Sequence, residues 1–162
     1  MTPPVFQNDQ QKWEWLRNAP YDDAKALPIR IIARALWTAS LRRPTLFAHL
    51  AAAMARDGIK YQIDSERVGR EDLGHPLEAL YRGVDDCDSK SRLFVALCLA
   101  AGLEAEMQPL WRGTMLQHVY ARVYLSTKWL PVELTLSRAR IGDLPKDIPK
   151  EERTGKWARN AV

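Results

Sequence analysis

Residues 83–102 read GVDDCDSKSRLFVALCLAAG. The apolar residues of this stretch recur at three- and four-residue spacing, at Leu93, Phe94, Leu97, Cys98 and Ala101. This spacing predicts an amphipathic helix that begins near Cys87 and ends at Gly102. After Gly102 the hydrophobic period changes from 3.6 to 2, which indicates β-strands. A helix followed by consecutive strands predicts an α+β fold.

Alternation predicts three strands at 103–111, 117–125 and 128–134, the last two joined by a turn at Ser126 and Thr127. An extended segment is expected at 59–63, a loop at 64–75 and one helical turn at 76–81. Further upstream, a short helix is expected at 10–17. Two longer helices are expected on either side of Pro44, the first from Leu27 and the second to about Asp57. Their predicted apolar stripes are Ile31, Ile32, Ala35, Leu36 and Ala39 on the first, and Leu46, Phe47, Leu50 and Met54 on the second.

Length and composition indicate one globular domain. The chain has 162 residues, of which 46% are hydrophobic and 27% charged, with a formal net charge of +4. These values exclude a disordered or collagen-like chain, and no apolar run is long enough to span a bilayer. We expect residues 1–162 to form a single domain with an N-terminal arm at 1–20, a core at 21–137 and an irregular basic segment at 138–162.

The two cysteines, Cys87 and Cys98, lie on the same predicted helix. Eleven residues of helix separate their Cα atoms by about 16 Å, too far for a disulfide bond. Two unpaired cysteines, and an N-terminus without the pattern of a signal peptide, lead us to expect a cytoplasmic protein. Cys98 is expected to pack in the core.

Cys87 is the candidate nucleophile because it stands at the start of a helix. Unsatisfied amides and the helix dipole stabilise a thiolate there, and either Asp85 or Asp86 is available as the N-cap. The same aspartates disfavour a second negative charge, so the thiolate needs a cationic partner. Of the three histidines, His118 opens a predicted strand and is the candidate base. His49, on a helix, and His75, expected to be solvated, are not expected to be ligands.

Glu133 is the candidate for the residue that orients His118. If the last two strands pair around Ser126 and Thr127, His118 and Glu133 become near neighbours across the ladder. A carboxylate in that position can accept a hydrogen bond from the imidazole and fix its tautomer. The sequence therefore predicts a nucleophile, a base and an orienting acid in the chain order Cys87, His118, Glu133.

Three segments together resemble the transglutaminase-like superfamily of cysteine peptidases and acyltransferases. Residues 83–90 (GVDDCDSK) resemble its nucleophile motif, residues 118–124 (HVYARVY) its histidine strand, and residues 129–133 (WLPVE) its acid strand. Residues 59–61 and 76–80 are similar to segments that precede the motif in bacterial members. The resemblance covers about residues 59–135 and implies a transglutaminase-like, papain-like core with a central helix carrying the cysteine and an antiparallel sheet carrying the histidine and the acid.

The resemblance implies an enzyme that transfers acyl groups through a thioester on Cys87. The oxyanion would be held by the Cys87 amide and by a second donor, for which Gln62 and Tyr61 are both candidates. The chain departs from the family pattern at three positions: Glu133 replaces the usual aspartate, Asp85 a common glycine, and Ser89 a common second aspartate. The charge of Asp85 beside the nucleophile could indicate a slow enzyme.

A second hypothesis is a non-catalytic or weakly active scaffold or assembly protein of prophage origin, located in the cytoplasm or in a virion. Neither hypothesis requires a cofactor or a metal, because the cysteines and histidines lack zinc spacing and the aspartates around Cys87 are expected to cap the helix. A protein or peptide substrate is the expected partner, and neither a membrane nor a nucleic acid is expected, since no basic face interleaved with aromatic residues is present. Trp111 and Trp129 are candidates for lining the cleft, and the sequence does not predict an oligomeric state.

Overall fold

A computed structural model describes residues 5–62, 73 and 75–143 of the chain. Its helices are α1 (Asp9–Leu16), α2 (Ala19–Asp23), α3 (Leu27–Ala39), α4 (Pro44–Asp57), α5 (Pro76–Arg82) and α6 (Cys87–Ala100). Its strands are β1 (Lys60–Tyr61), β2 (Val84–Asp85), β3 (Ala105–Arg112), β4 (Met115–Leu125) and β5 (Lys128–Val132). The predicted α+β class is confirmed.

The larger sheet is antiparallel, in the order β3-β4-β5. The hairpin of β4 and β5 turns at Ser126 and Thr127 as predicted, with Leu125 opposite Lys128 and a left-handed φ of 61° at Ser126. A second, two-stranded sheet is parallel and pairs β1 with β2, so that Tyr61 lies opposite Asp85. The sequence did not predict β2, because two residues are too few to show an alternating pattern.

Helix α6 is the centre of the fold and packs against β4, α4, α3 and α2. The sequence predicts an amphipathic helix, whereas the structure buries α6 on all sides from Asp88 to Cys98. The two basic residues that gave it a polar face are buried with partners. Lys90 Nζ donates to the carbonyl of Arg56 at 2.8 Å and to that of Ile59, and Arg92 Nη2 donates to Asp23 at 2.8 Å. Partnered charges can be buried, so α6 has no solvent face.

The predicted apolar stripes of α3 and α4 were wrong in part. Ile31 of α3 is 59% exposed, and that helix buries Ile29 and Ala33 instead. The buried face of α4 consists mainly of small side chains, at Phe47, Ala48, Ala51, Ala52 and Ala55. Alanines allow α4 to approach α6 closely, so small residues decide the contact and the larger Leu46 is left exposed.

His75 is half-buried rather than solvated, which corrects the prediction for this residue. Its Nδ1 accepts a hydrogen bond from the Leu77 amide at 3.2 Å and so caps α5. Its Nε2 lies 3.4 Å from Asp23 Oδ1. Helix α5 ends at Gly83, whose left-handed φ of 71° redirects the chain into β2.

Several predictions fall largely outside the described residues. These are the loop at 64–75, the first four residues of the arm, and the basic segment beyond residue 143. Among the residues that are described, no helix is long and apolar enough to cross a membrane.

Candidate active site

Cys87 is the first residue of α6, and Asp86 is its N-cap. Asp86 Oδ1 accepts hydrogen bonds from the amides of Asp88 at 3.0 Å and Ser89 at 3.4 Å. The amide of Cys87 lies in the first turn of α6, where N–H groups have no intrahelical acceptor, so helix geometry leaves it available for a ligand. Asp85 is not the cap: it is fully buried, accepts from the Asp86 amide at 2.9 Å and pairs with Arg82 at 2.8 Å. The charge at this departure from the family pattern is therefore neutralised by a neighbouring arginine.

The thiol of Cys87 is half-buried and directed at a carboxylate. Its Sγ donates to Asp88 Oδ1 at 3.5 Å. Burial raises the pKa of the Cys87 thiol well above its ordinary value, and the charges of Asp88 and Asp86 raise it further, whereas the Val119 amide, which donates to the sulfur, lowers it. Since the raising effects exceed the lowering one, Cys87 rests as a neutral thiol.

His118 and Glu133 meet across the β4–β5 hairpin. His118 Nε2 lies 2.8 Å from Glu133 Oε2. The pairing register ends at Val132 opposite Ala121, so the two side chains meet along the diagonal of the ladder. The other oxygen of Glu133, Oε1, accepts from both the amide and the hydroxyl of Thr135, each at 2.7 Å. Both oxygens of the carboxylate are thus fixed.

Glu133 is 3% exposed and is held as a carboxylate. Burial alone raises the pKa of Glu133, but the hydrogen bonds and charge from His118, together with the two hydrogen bonds from Thr135, outweigh burial and lower it. A buried carboxylate with this set of donors is suited to orient an imidazole.

The Cys87 thiol contacts the backbone of the residue that follows His118. The Val119 amide contacts Cys87 Sγ, and Val119 directly follows His118. Within the described residues no hydrogen bond joins Cys87 to His118, because the thiol proton is directed at Asp88. Since His118 Nε2 is bonded to Glu133, Nδ1 is the ring nitrogen available to the thiol.

Tyr61 belongs to the same neighbourhood through the β1–β2 pair. Burial, followed by the charges of Cys87, Asp86, Glu133 and Asp88, raises the pKa of Tyr61 to about 12. The phenol is therefore a hydrogen-bond donor at neutral pH. The sequence made Tyr61 a candidate for the second oxyanion donor but did not predict the β1–β2 pairing that brings it to the site.

The other cysteine, Cys98, is fully buried on α6, in the hydrophobic core as predicted. Burial alone raises the pKa of its thiol. It provides an internal reference for the reactivity of Cys87.

Lys12 is a residue of the site that the sequence did not predict. Its Nζ lies 2.7 Å from Asp88 Oδ2, and the residue is 8% exposed although it comes from the expected N-terminal arm. The side chains of Asp86, Cys87 and Asp88 place ligand atoms within 4.8 Å of one another. Both carboxylates already have partners within the chain: Asp86 accepts from the helix amides, and Asp88 forms an ion pair with Lys12 and accepts from the thiol.

A groove of about 460 Å³ lies between the first two helices and the sheet. It is lined by aromatic and charged side chains that include Trp13, Tyr21, Glu106, Arg122 and Trp129. Arg122 pairs with Glu106, and its guanidinium lies 4.6 Å from the centre of the Trp129 ring. Arg122 and His118 are four residues apart on β4, so the groove lies on the same face of the sheet as the candidate histidine.

Comparison with known proteins gives one match. The family model described as the transglutaminase-like superfamily matches residues 37–134, a span from the end of α3 that includes Cys87, His118 and Glu133. Neither the curated proteins nor the solved structures contain a match to the chain. The matched span is more than half of the chain and contains the central helix and the antiparallel sheet. The chain therefore belongs to the transglutaminase-like superfamily.

Proposed function

We propose that this chain is a cysteine peptidase, amidase or acyltransferase that acts on a protein or peptide through Cys87, His118 and Glu133. The observation that carries the proposal is the His118–Glu133 contact of 2.8 Å, made by a buried carboxylate whose second oxygen Thr135 holds. A buried carboxylate with both oxygens fixed is the group that orients a catalytic imidazole and sets its tautomer.

In the proposed reaction the thiol first turns from Asp88 to His118 Nδ1, which takes the thiol proton. Cys87 Sγ then bonds to the carbonyl carbon of an amide and forms a tetrahedral intermediate. The carbon–nitrogen bond breaks, His118 gives its proton to the departing amine, and a thioester remains on Cys87. Water or a second amine attacks the thioester, and the thiol is restored. Glu133 stabilises the imidazolium at each proton transfer.

Tyr61 is the better supported of the two candidates for the second oxyanion donor. Its phenol lies in the electrostatic field of Cys87 and Glu133 and stays protonated, with its pKa raised to about 12, first by burial. The backbone amide of Gln62 already donates to the main-chain carbonyl of Asp85 at 2.9 Å, which leaves only the Gln62 side chain as a donor. We assign the oxyanion to the Cys87 amide and the Tyr61 hydroxyl.

A specific observation also favours the second candidate function, a non-catalytic or weakly active scaffold. The Cys87 thiol is bonded to a carboxylate, and burial with two neighbouring aspartates raises its pKa. Such a thiol is less reactive than one beside a histidine. The prophage origin and a virion location belong to this candidate as predictions, and a cytoplasmic location is predicted for both candidates.

The test is to incubate the purified chain with a digest of an unrelated protein and a labelled primary amine, beside a Cys87→Ala control. Incorporation of the amine with release of ammonia, absent from the control, indicates acyl transfer. New peptide termini that depend on Cys87 indicate a peptidase. Neither product, together with alkylation of Cys87 that does not depend on His118, would support the scaffold.

A further inference from the structure

Helix α1 touches both halves of the candidate site. Asp9 Oδ2 accepts a hydrogen bond from the Leu116 amide at 2.7 Å, two residues before His118 on β4. One helical turn later, Lys12 Nζ lies 2.7 Å from Asp88 Oδ2, directly after Cys87 on α6. Residues three apart share a helix face, so a single face of α1 spans the strand that carries the histidine and the helix that carries the cysteine.

This position of α1 is fixed by its own contacts. Asn8 caps the helix by accepting from the Gln11 amide at 2.9 Å, and Gln11 Oε1 accepts in turn from the Gln7 amide at 3.0 Å. At the other end Leu16 is buried, and the guanidinium of Arg92 lies 4.9 Å from the centre of the Trp15 ring. Helix α1 is therefore packed into the domain, although it lies before the span that matches the family model.

Several titratable groups face the Cys87 thiol or its neighbours, from four elements and from the residue after β5. They are Lys12 on α1, Tyr61 on β1, Asp86 and Asp88 at α6, His118 on β4 and Glu133 after β5. Two of the three carboxylates have other donors: the helix amides hold Asp86, and His118 with Thr135 holds Glu133. Asp88 is 2% exposed and bonded to the thiol itself, so its charge acts most directly on the nucleophile.

We propose that Lys12 is a positioning residue of the Cys87 site, whose ammonium group holds Asp88 and offsets the charge of that carboxylate beside the thiol. The proposal rests on the proposed function, because it concerns the reactivity of the same cysteine. Without Lys12, Asp88 would be a buried and unpaired anion in contact with Cys87, which disfavours formation of the thiolate.

The test is the pH dependence of Cys87 alkylation by iodoacetamide, mapped by mass spectrometry, in four chains: wild type, Lys12→Met, Asp88→Asn and the double variant. At a pH below the thiol pKa the rate follows the thiolate fraction. We expect Lys12→Met to slow alkylation about tenfold, Asp88→Asn to accelerate it by a similar factor, and the double variant to lie close to wild type. Lys12→Arg should restore the wild-type profile, because it returns the charge.

Lys25→Met is the matched control, since Lys25 pairs with Asp22 at 2.8 Å on the exposed surface and should leave the profile unchanged. If Lys12→Met does not fold, the comparison of Asp88→Asn with the double variant decides, because the double variant buries no unpaired charge. Alkylation rates indifferent to Lys12 in both backgrounds would overturn the proposal. The alkylation assay needs no turnover, so it separates the two proposals. If the alkylation rates follow the expected order but no catalysis is found, the role of Lys12 stands and the proposed function fails. If turnover depends on Cys87 but the alkylation rates do not depend on Lys12, the proposed function stands and the role of Lys12 fails.

Discussion

The two halves of the candidate site are built in different ways. His118 and Glu133 are 15 residues apart and are brought together by one hairpin, and Thr135 lies only two residues beyond Glu133. The Cys87 half depends on distant parts of the chain. Lys90 reaches a carbonyl 34 residues away, and Arg92 reaches a carboxylate 69 residues away. The difference indicates that local pairing sets the base and its acid, whereas the packing of the whole domain sets the nucleophile.

The largest effect should come from removing a reacting group. We expect Cys87→Ala and His118→Ala each to lower kcat/KM about 10³-fold or more, because the two residues act as a unit. Cys87→Ala should change the free energy of unfolding little, whereas His118→Ala should lower it, because the buried Glu133 loses a partner. The matched control is Cys98→Ala, which should lower stability by opening a space in the core and leave kcat/KM close to wild type. The measurement is kcat/KM beside thermal unfolding. Retained activity in Cys87→Ala would show that Cys87 is not the nucleophile.

Removing the acid from the hairpin half should have the next largest effect. We expect Glu133→Gln to lower kcat about 10²- to 10³-fold with a smaller change in KM, since a neutral amide does not stabilise the imidazolium. Glu106→Gln, a change of a carboxylate on the same sheet, is the control and should keep kcat.

The same substitution has a consequence for stability at low pH. The pKa of Glu133 is lowered in the folded state, so its contribution to stability is present above the ordinary glutamate pKa and is lost as the pH falls through the folded value. Wild type should therefore lose more of its free energy of unfolding than Glu133→Gln in this acid range. Denaturant titrations between pH 3 and 6 measure the difference, and parallel curves would show that Glu133 is not held as described.

The pH dependence of stability in Lys90→Met tests the long-range contacts of the Cys87 half. Burial, aided by Arg56 and opposed by Asp57, Glu133 and Asp85, lowers the pKa of Lys90 to about 8. The folded chain then binds fewer protons than the unfolded chain between pH 8 and the ordinary lysine pKa of about 10.4. Wild-type stability should therefore rise with pH in this window relative to Lys90→Met, by about 1 to 2 kcal/mol. Chemical denaturation of both chains across the window measures this, and a constant difference would show that Lys90 stays charged.

The smallest effect should come from Thr135→Val. The substitution removes the hydroxyl that donates to Glu133 at 2.7 Å and keeps the backbone amide that donates to the same oxygen. One of several donors is lost, so kcat should fall about three- to fivefold with KM unchanged. Thr127→Val, in the exposed turn of the same hairpin, is the control. A loss as large as that of Glu133→Gln would mean that Thr135 has a further role.

The difference between local contacts at His118 and Glu133 and long-range contacts around Cys87 also explains which parts of the structure could be predicted from the sequence. The register of β4 and β5 follows from a two-residue turn and an alternating pattern, so the neighbourhood of His118 and Glu133 could be predicted. The helix start at Cys87 could be predicted from Asp86, whose cap leaves a local signal. The family was also recognised from these local motifs, and the match over residues 37–134 confirms it.

The remaining contacts of the nucleophile half leave no such signal. Lys12 lies in a polar segment whose periodicity says nothing of its partner, and the two-residue strands β1 and β2 are too short to be seen as a pair. The buried face of α4 was misassigned because the predicted stripe followed the large apolar side chains, whereas four of the five buried residues are alanines. Long-range ion pairs and close helix packing depend on the complete fold, so single-sequence patterns do not encode them locally.

The most direct test of the central claim compares Cys87 alkylation by iodoacetamide at neutral pH in wild type and His118→Ala, with Cys98 as the internal reference. If Cys87, His118 and Glu133 form one site, Cys87 should react at least about tenfold faster in wild type than in the variant, because the imidazole accepts the thiol proton. Cys98 should stay unlabelled in both folded chains, since it is fully buried. Equal rates for Cys87 in the two chains would contradict the account.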